Sequence, residues 1–340
     1  LLNKFPKKLD TIFFVCTGSE ANDLAYRIAQ NYTDSKDVLV MDNAYHGHTN
    51  TLIDLSPYKF KGRGGSGKKD FVHIADMPDG LRGKWRYSDK HWVEKYILQI
   101  KKTVDDLIKN NKKLSCFFVE SIMGCGGQVV FPPKYLKEAF KIIRHEKALC
   151  IVDEVQTGFG RVGNHFWGFQ EHGIIPDIVT LGKPMGNGHP IAAVVTSKKI
   201  ARKFNNGMEY FNSFGGNPVS CSIGNAVLDV IENEKLQNHS KITGEYFIRS
   251  LNKIKQKFPK LISEVRGRGL FLGIDLIKNK NHIPNENLAN LVINKMREKG
   301  ILLSTDGPYH NVIKIKPPMT FSKKNVDLVC FELDNILKNI

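Results

Sequence analysis

The sequence predicts an α/β protein: a mostly parallel central sheet with helices on both faces, followed by a small C-terminal α+β domain. Three observations carry that reading. Over the first two thirds of the chain, short runs that are apolar throughout alternate with helical patterns, as strands buried on both faces do. After about Pro218 the rhythm changes to long helices and alternating strands. The polar residues that stand out fall where the apolar runs end, the edge at which such sheets collect ligands. At 340 residues the chain is too long for one ordinary domain. The expected division is 1–218, a large domain, and 219–340, a connecting helix with the small domain.

The expected strands of the first part are Thr11–Val15, Val38–Met41, Cys116–Val119, Leu149–Val152, Ile178–Leu181 and Ala192–Thr196. Glu20–Gln30, His91–Lys109 and Pro133–His145 read as helices between them. In the second part the pattern gives helix Val219–Glu232, strand alternation over Glu264–Asp275 and helix Asn285–Lys299. Strands Ile301–Ser304 and Val312–Ile315 and helix Lys323–Leu337 follow. The chain begins Leu1-Leu-Asn-Lys, without an initiator methionine and with a strand starting about ten residues in. It reads as lacking an N-terminal segment, and with it any targeting peptide.

Composition removes several function classes. Apolar residues make up 41% and charged residues 25%, values of a globular chain and not of a disordered one. No apolar run approaches the roughly 20 residues that span a bilayer, so a membrane role is not expected. Six cysteines, at 16, 116, 125, 150, 221 and 330, form no CxxC pair. They read as reduced thiols of an intracellular protein, cytosolic or in the mitochondrial matrix, with no metal site. The net charge of +16 is spread along the whole chain. That distribution fits an anionic, phosphorylated ligand better than nucleic acid, whose binding asks for a basic stripe.

The candidate site residues cluster at strand ends. Thr17-Gly18-Ser19-Glu20 joins a strand to a helix. Gly18 lets backbone approach closely, and a helix N-terminus offers N–H groups to a phosphate; Ser19 is equally an ordinary helix cap. Tyr45 and His46 follow the next strand, and Glu120 ends the one after. Asp153 closes an apolar run, and Lys183 follows another thirty residues on. An acid and a lysine at neighbouring strand ends suit pyridoxal 5′-phosphate (PLP): the lysine bonds its aldehyde and the acid keeps its ring nitrogen protonated. Gly62-Arg-Gly-Gly-Ser-Gly-Lys68 imitates a nucleotide P-loop, but Lys69 stands where Ser or Thr is needed. Asp70-Phe-Val-His then starts a strand and not a helix. It reads as a basic loop.

Together Gly18-Ser-Glu-Ala-Asn22, Tyr45-His-Gly47, Asp153-Glu-Val-Gln-Thr-Gly-Phe-Gly-Arg161, Leu181-Gly-Lys-Pro-Met-Gly-Asn-Gly188 and Phe214-Gly-Gly-Asn-Pro218 resemble the class III aminotransferases of PLP fold type I. The resemblance runs through essentially the whole chain. Ser56-Pro-Tyr-Lys-Phe60, Gly207-Met-Glu-Tyr-Phe-Asn212 and Leu303-Ser-Thr-Asp-Gly-Pro308 look most like the phospho-lyase branch, which acts on ethanolamine phosphate or 5-phosphohydroxy-L-lysine. The resemblance implies PLP as cofactor and Lys183 as its anchor and proton shuttle. Asp153 would meet the ring nitrogen, Gln156 the ring hydroxyl, and Gly18 and Ser19 the phosphate. Tyr45 would stack on the ring, with Glu120 and His46 nearby. Ser213, where the class usually has threonine, would reach the phosphate in a second subunit, implying a homodimer or a dimer of dimers with shared sites.

One position departs from the family. Many members carry an arginine that grips a substrate α-carboxylate where this chain has Lys314, and a lysine cannot form that bidentate fork. Either the substrate lacks an α-carboxylate or Lys314 is a solvent-facing strand residue. The function expected is elimination of phosphate and ammonia from a phosphorylated amine, leaving an aldehyde. The alternative is amino transfer to a keto acid such as pyruvate or glyoxylate. A non-catalytic relative would have been free to lose Lys183 or Asp153, and both are present. Lys59, Arg63 and Lys68 are candidates for the substrate phosphate, with no motif to choose between them.

Overall fold

In the computed structural model, which describes residues 1–279 and 281–340, the chain packs as two compact units. The first comprises Leu1–Ser121, Phe131–Phe159 and Trp167–Ile231; the second comprises Ile122–Val130, Gly160–Phe166 and Glu232–Ile340.

In chain order the first unit contains β1 (Thr11–Val15), α1 (Gly18–Thr33), β2 (Asp37–Met41), α2 (Asn50–Asp54), α3 (Pro57–Phe60), β3 (Val72–Ala75) and α4 (Trp92–Lys109). It continues with β4 (Leu114–Glu120), α5 (Tyr135–His145), β5 (Leu149–Asp153), β6 (Ile178–Leu181), β7 (Ala192–Thr196), α6 (Lys198–Phe204) and α7 (Pro218–Asn233), whose last two residues fall in the second unit. The seven strands lie in the order β1-β7-β6-β5-β4-β2-β3. From β3 to β6 neighbours are parallel, while β7 runs antiparallel to both β6 and β1.

Hydrophobic patterning explains this sheet. Every residue of β2, β4, β5, β6 and β7 is buried, as strands covered on both faces require. Helix α1 lays Ala21, Leu24, Ala25, Ile28 and Ala29 against Val38, Val40, Phe118, Ile151, Ala192 and Val194, a stripe at i, i+3, i+4 spacing. Thr17 caps it by accepting from the Glu20 N–H, and Asp34 ends it at a left-handed φ of 55°. That cap holds the Thr17-Gly18-Ser19 turn at the carboxyl edge of the sheet.

The second unit holds α8 (Leu236–Lys257), β8 (Ile262–Arg268), β9 (Phe271–Leu276), α9 (Glu286–Glu298), β10 (Ser304–Asp306), β11 (Val312–Ile315) and α10 (Lys323–Lys338). Its four strands form an antiparallel sheet in the order β10-β11-β9-β8. One face packs on the apolar sides of α8, α9 and α10 through Phe247, Leu251, Leu272, Ile274, Val292 and Leu333.

Three expectations are corrected. The strand expected at Ile301–Ser304 forms at Ser304–Asp306, because Gly300 and Ile301 still bond back to the end of α9 and pairing with β11 begins at Ser304. The strand read as starting at Asp70 starts two residues later, as the edge strand β3 at Val72–Ala75. The boundary at 218/219 moves to 231/232, since α7 packs on the first unit. Ser220 Oγ lies 2.8 Å from His189 Nε2, and Gly224 faces Ile191.

Candidate active site

Parallel register sets Glu120 beside Asp153 and Asp153 beside Thr180, a row of polar side chains across the ends of β4, β5 and β6. All three are buried, and the Thr180 hydroxyl meets no partner among the described residues. The backbone N–H of Tyr45, leaving β2, donates to Glu120 Oε1 at 3.4 Å. Sequence reasoning found Glu120, Asp153 and Tyr45. It did not mark Thr180, which the register alone brings into the row.

Asp153 is clamped from two sides. Its Oδ1 accepts from the Val155 N–H at 3.0 Å, and its Oδ2 accepts from Asn22 Nδ2 at 2.8 Å. His46 Nδ1 lies 3.0 Å from the same Oδ2. The imidazole is fully buried, its ring edge-on to Phe118 at 4.3 Å between centroids. The other ring nitrogen, Nε2, has no partner among the described residues. His46 is thus bonded to the acid of the site. Asn22 closes the Gly18–Asn22 motif of the sequence, but no role was assigned to it there; it sits one turn after Gly18 on the buried face of α1.

Next in chain order, Glu154 is wholly buried and caged by four donors: the hydroxyls of Ser121 and Thr157 and the N–H groups of Gly168 and Phe169. Burial nonetheless pushes its carboxyl above the usual range. It anchors the loop after β5.

Lys183 follows β6 in contrasting circumstances. Its side chain is exposed, and among the described residues its ammonium has no hydrogen bond or ion pair. Its backbone has a positive φ of 23°, a conformation that residues bearing a Cβ rarely hold and that gathers at functional sites. The preceding Gly182 makes the placement possible: a Cβ there would lie 3.2 Å from Gly18 Cα. A Cβ on Gly18 would in turn come 2.8 Å from Val155 Cγ1. The turns after β1, β5 and β6 therefore touch, bringing Gly18, Asp153 and Lys183 to one place.

With this geometry in view, comparison with known proteins is decisive. Residues 1–337 match the family aminotransferase class-III. The chain belongs to that family. It is 46% identical over 333 residues to a Drosophila melanogaster protein named alanine–glyoxylate aminotransferase 2-like, covering 96% of this chain and 67% of that one. It is 42% identical over 342 residues to ethanolamine-phosphate phospho-lyase homolog 1 of Caenorhabditis elegans, covering 97% and 73%. A phospholyase from Arthrobacter, solved in complex with phosphoethanolamine, superposes with a TM-score of 0.94 at 35% identity, over all of this chain and 79% of that one.

The fold is therefore that of the fold type I PLP-dependent transferases, and the cofactor is PLP. The residues present suit it. A clamped carboxylate, a lysine and the start of a sixteen-residue helix meet at one sheet edge, beside buried polar atoms that have no partner among the described residues: His46 Nε2, Asn22 Oδ1 and Thr180 Oγ1. Of the remaining class III residues, Ser19 Oγ accepts from the His48 N–H at 3.2 Å, and Gln156 is half-buried three residues past Asp153. Ser213 is exposed and has no partner among the described residues.

Two regions singled out in the sequence read differently in the structure. In the basic loop, Lys61 pairs with Asp42 at 2.6 Å and Lys68 donates to the carbonyls of Lys69 and Val72. Lys59 instead sits 5.5 Å from the ring centroids of Tyr45 and Tyr58. In the second unit Lys314 is not a solvent-facing strand residue. Its Nζ lies 2.8 Å from Asp306 Oδ1, and the other oxygen of the buried Asp306 accepts from Gln128 Nε2 at 2.8 Å. All six cysteines are free thiols, and burial pushes that of Cys116 up to about 12, which keeps it protonated and inert. Among the described residues no cluster suits a metal ion, and no helix is long and apolar enough to cross a membrane.

Proposed function

We propose that the protein is a phospho-lyase that eliminates phosphate and ammonia from a phosphorylated amine, with phosphoethanolamine the first candidate. The observation that carries this reading is Lys314 committed to Asp306. At the position where many class III members grip an α-carboxylate with arginine, this chain has a lysine already neutralised by a buried acid. A substrate without an α-carboxylate needs no such grip. The likeness to the C. elegans and Arthrobacter proteins supports the same substrate class.

PLP, when bound, supplies an aldehyde that bonds amines and a protonated ring that takes up electrons. Gly18 and Ser19 would receive its phosphate at the α1 N-terminus, where free N–H groups point outward. Tyr45 would stack on the ring, Gln156 would meet its hydroxyl and Glu120 would stand nearby. Asp153 would keep the proton on the ring nitrogen, and Lys183 would be the anchoring lysine. Lys183 Nζ would take the proton from the substrate carbon that bears nitrogen. Phosphate leaves from the adjacent carbon, and water completes the reaction to acetaldehyde, ammonia and inorganic phosphate. Lys59, over the rings of Tyr45 and Tyr58, is the cation best placed to meet the leaving phosphate.

A homodimer belongs to this reading. Met208, Phe211, Phe214 and Val219 are 65–76% exposed around Ser213, an apolar stretch that association would cover. Ser213 would then reach the phosphate in the second subunit.

The test is to supply phosphoethanolamine with no keto acid and follow inorganic phosphate and ammonia. Equal, sustained release of both supports the lyase. No phosphate, with amino transfer once pyruvate or glyoxylate is added, replaces it with the aminotransferase reading.

A further inference from the structure

We infer that Asn22 is a positioning residue: it fixes Asp153 against the same helix that receives the cofactor phosphate, so that α1 alone sets the distance between the two ends of the cofactor site. Gly18 opens α1, and Asn22 follows one turn later on its buried face. Its Nδ2 donates to two acceptors at once, Asp153 Oδ2 at 2.8 Å and the His46 carbonyl at 2.6 Å. One side chain thus ties together the helix, the end of β5 and the loop after β2. With the side chain of Asn22 only 1% exposed, water does not replace either bond. Packing alone would be met by leucine at this position; an amide in that place costs free energy unless its hydrogen bonds are made.

The orientation of Asp153 follows. A carboxylate accepts and does not donate, so Asn22 presents its N–H and His46 presents Nδ1–H to the same oxygen. The opposite oxygen is turned to the Val155 N–H. These three donors leave the carboxylate one direction in which to meet a protonated ring nitrogen. His46 itself is surrounded by Phe118, Asn22 and Asp153. Its Nδ1 is the nitrogen turned to the carboxylate, and Asn22 holds the residue in place through the His46 backbone carbonyl.

This inference rests on Asp153 meeting the ring nitrogen, and the experiment separates the two claims. A proton on that nitrogen draws electrons from the group bonded to Lys183 and makes that group more acidic. Weakening Asp153 therefore raises the pH midpoint of the bound cofactor's visible absorption. Asn22→Asp keeps the shape of the side chain and places a second carboxylate against the first, where two like charges share one proton. In the cofactor-loaded protein the midpoint is expected to rise by about one pH unit, a tenfold change in that equilibrium. Asn22→Ala is expected to move it in the same direction and to speed cofactor loss. Asp153→Asn sets the upper limit of the shift. A folded Asn22→Asp variant with the parental midpoint, alongside a shifted Asp153→Asn, overturns the role of Asn22 and leaves it a packing residue. An unshifted Asp153→Asn overturns the assignment of Asp153, and that of Asn22 with it.

Discussion

Two lysines that the sequence singles out sit in opposite circumstances. Lys183, in the first unit, is exposed, without a partner among the described residues, and mounted on a backbone turn with φ of 23°. Lys314, in the second, is a strand residue locked to Asp306, which is itself buried and held by Gln128. Both are lysines after or within short apolar runs, though only Lys183 lies in a Leu-Gly-Lys-Pro-Met-Gly-Asn-Gly motif. Their surroundings decide what each can do. An ammonium with no acid beside it can give up its proton and form a covalent bond. One paired with a buried carboxylate is held charged and in place.

The contrast breaks most visibly at Lys183. Lys183→Ala is expected to abolish the bound cofactor's visible absorption and to lower turnover by about 10²- to 10⁴-fold, the scale set by loss of a proton-transfer group. Absorption spectra and phosphate release measure both, while the unfolding midpoint of the cofactor-free protein stays close to the parent's.

Lys314→Ala should do the reverse. It strands the buried Asp306 carboxylate, and chemical denaturation should show a loss of about 3 kcal/mol without moving the cofactor spectrum. Ser213→Ala should have a smaller effect, confined to the associated protein. Losing a hydrogen bond to a charged group costs about 1.5 kcal/mol, so cofactor should dissociate about tenfold faster, with no change in the sedimentation of the dimer.

The smallest expected effect lies away from both lysines. Burial lowers the pKa of His73 from its ordinary 6.5, outweighing its contact with Asp37. For a base with a depressed folded-state pKa, the unfolded chain binds protons first. Stability is therefore full above about pH 6.5 and is lost as pH falls toward the folded value. His73→Phe should flatten that part of the acid slope, as denaturation midpoints between pH 7 and 5 would show.

How much of this was legible in sequence depends on the range of the interaction. The buried strands were, because the runs Val38–Met41, Cys116–Val119 and Leu149–Val152 are apolar and flanked by helix patterns. Strand ends came out nearly as well, so Asp153 and Lys183 could be placed side by side before any coordinates. β10 was misplaced because Ile301–Leu303 looks like a strand, whereas pairing starts at Ser304. The partnership of Asn22 with Asp153 spans 131 positions, and that of Gln128 with Asp306 spans 178. No local pattern marks either, because an asparagine in a helix and a glutamine in a turn are ordinary in isolation. The unmarked Thr180 depends on strand register in the same way.

The central claim is that the free lysine, and not the locked one, holds the cofactor. Reducing the cofactor-loaded protein with borohydride fixes the cofactor to whichever lysine it is bonded to, and peptide mass spectrometry then locates it. The account predicts the added mass on the peptide containing Lys183 and no other. Added mass on another lysine, or none on Lys183 in protein that carries the visible band, would contradict it.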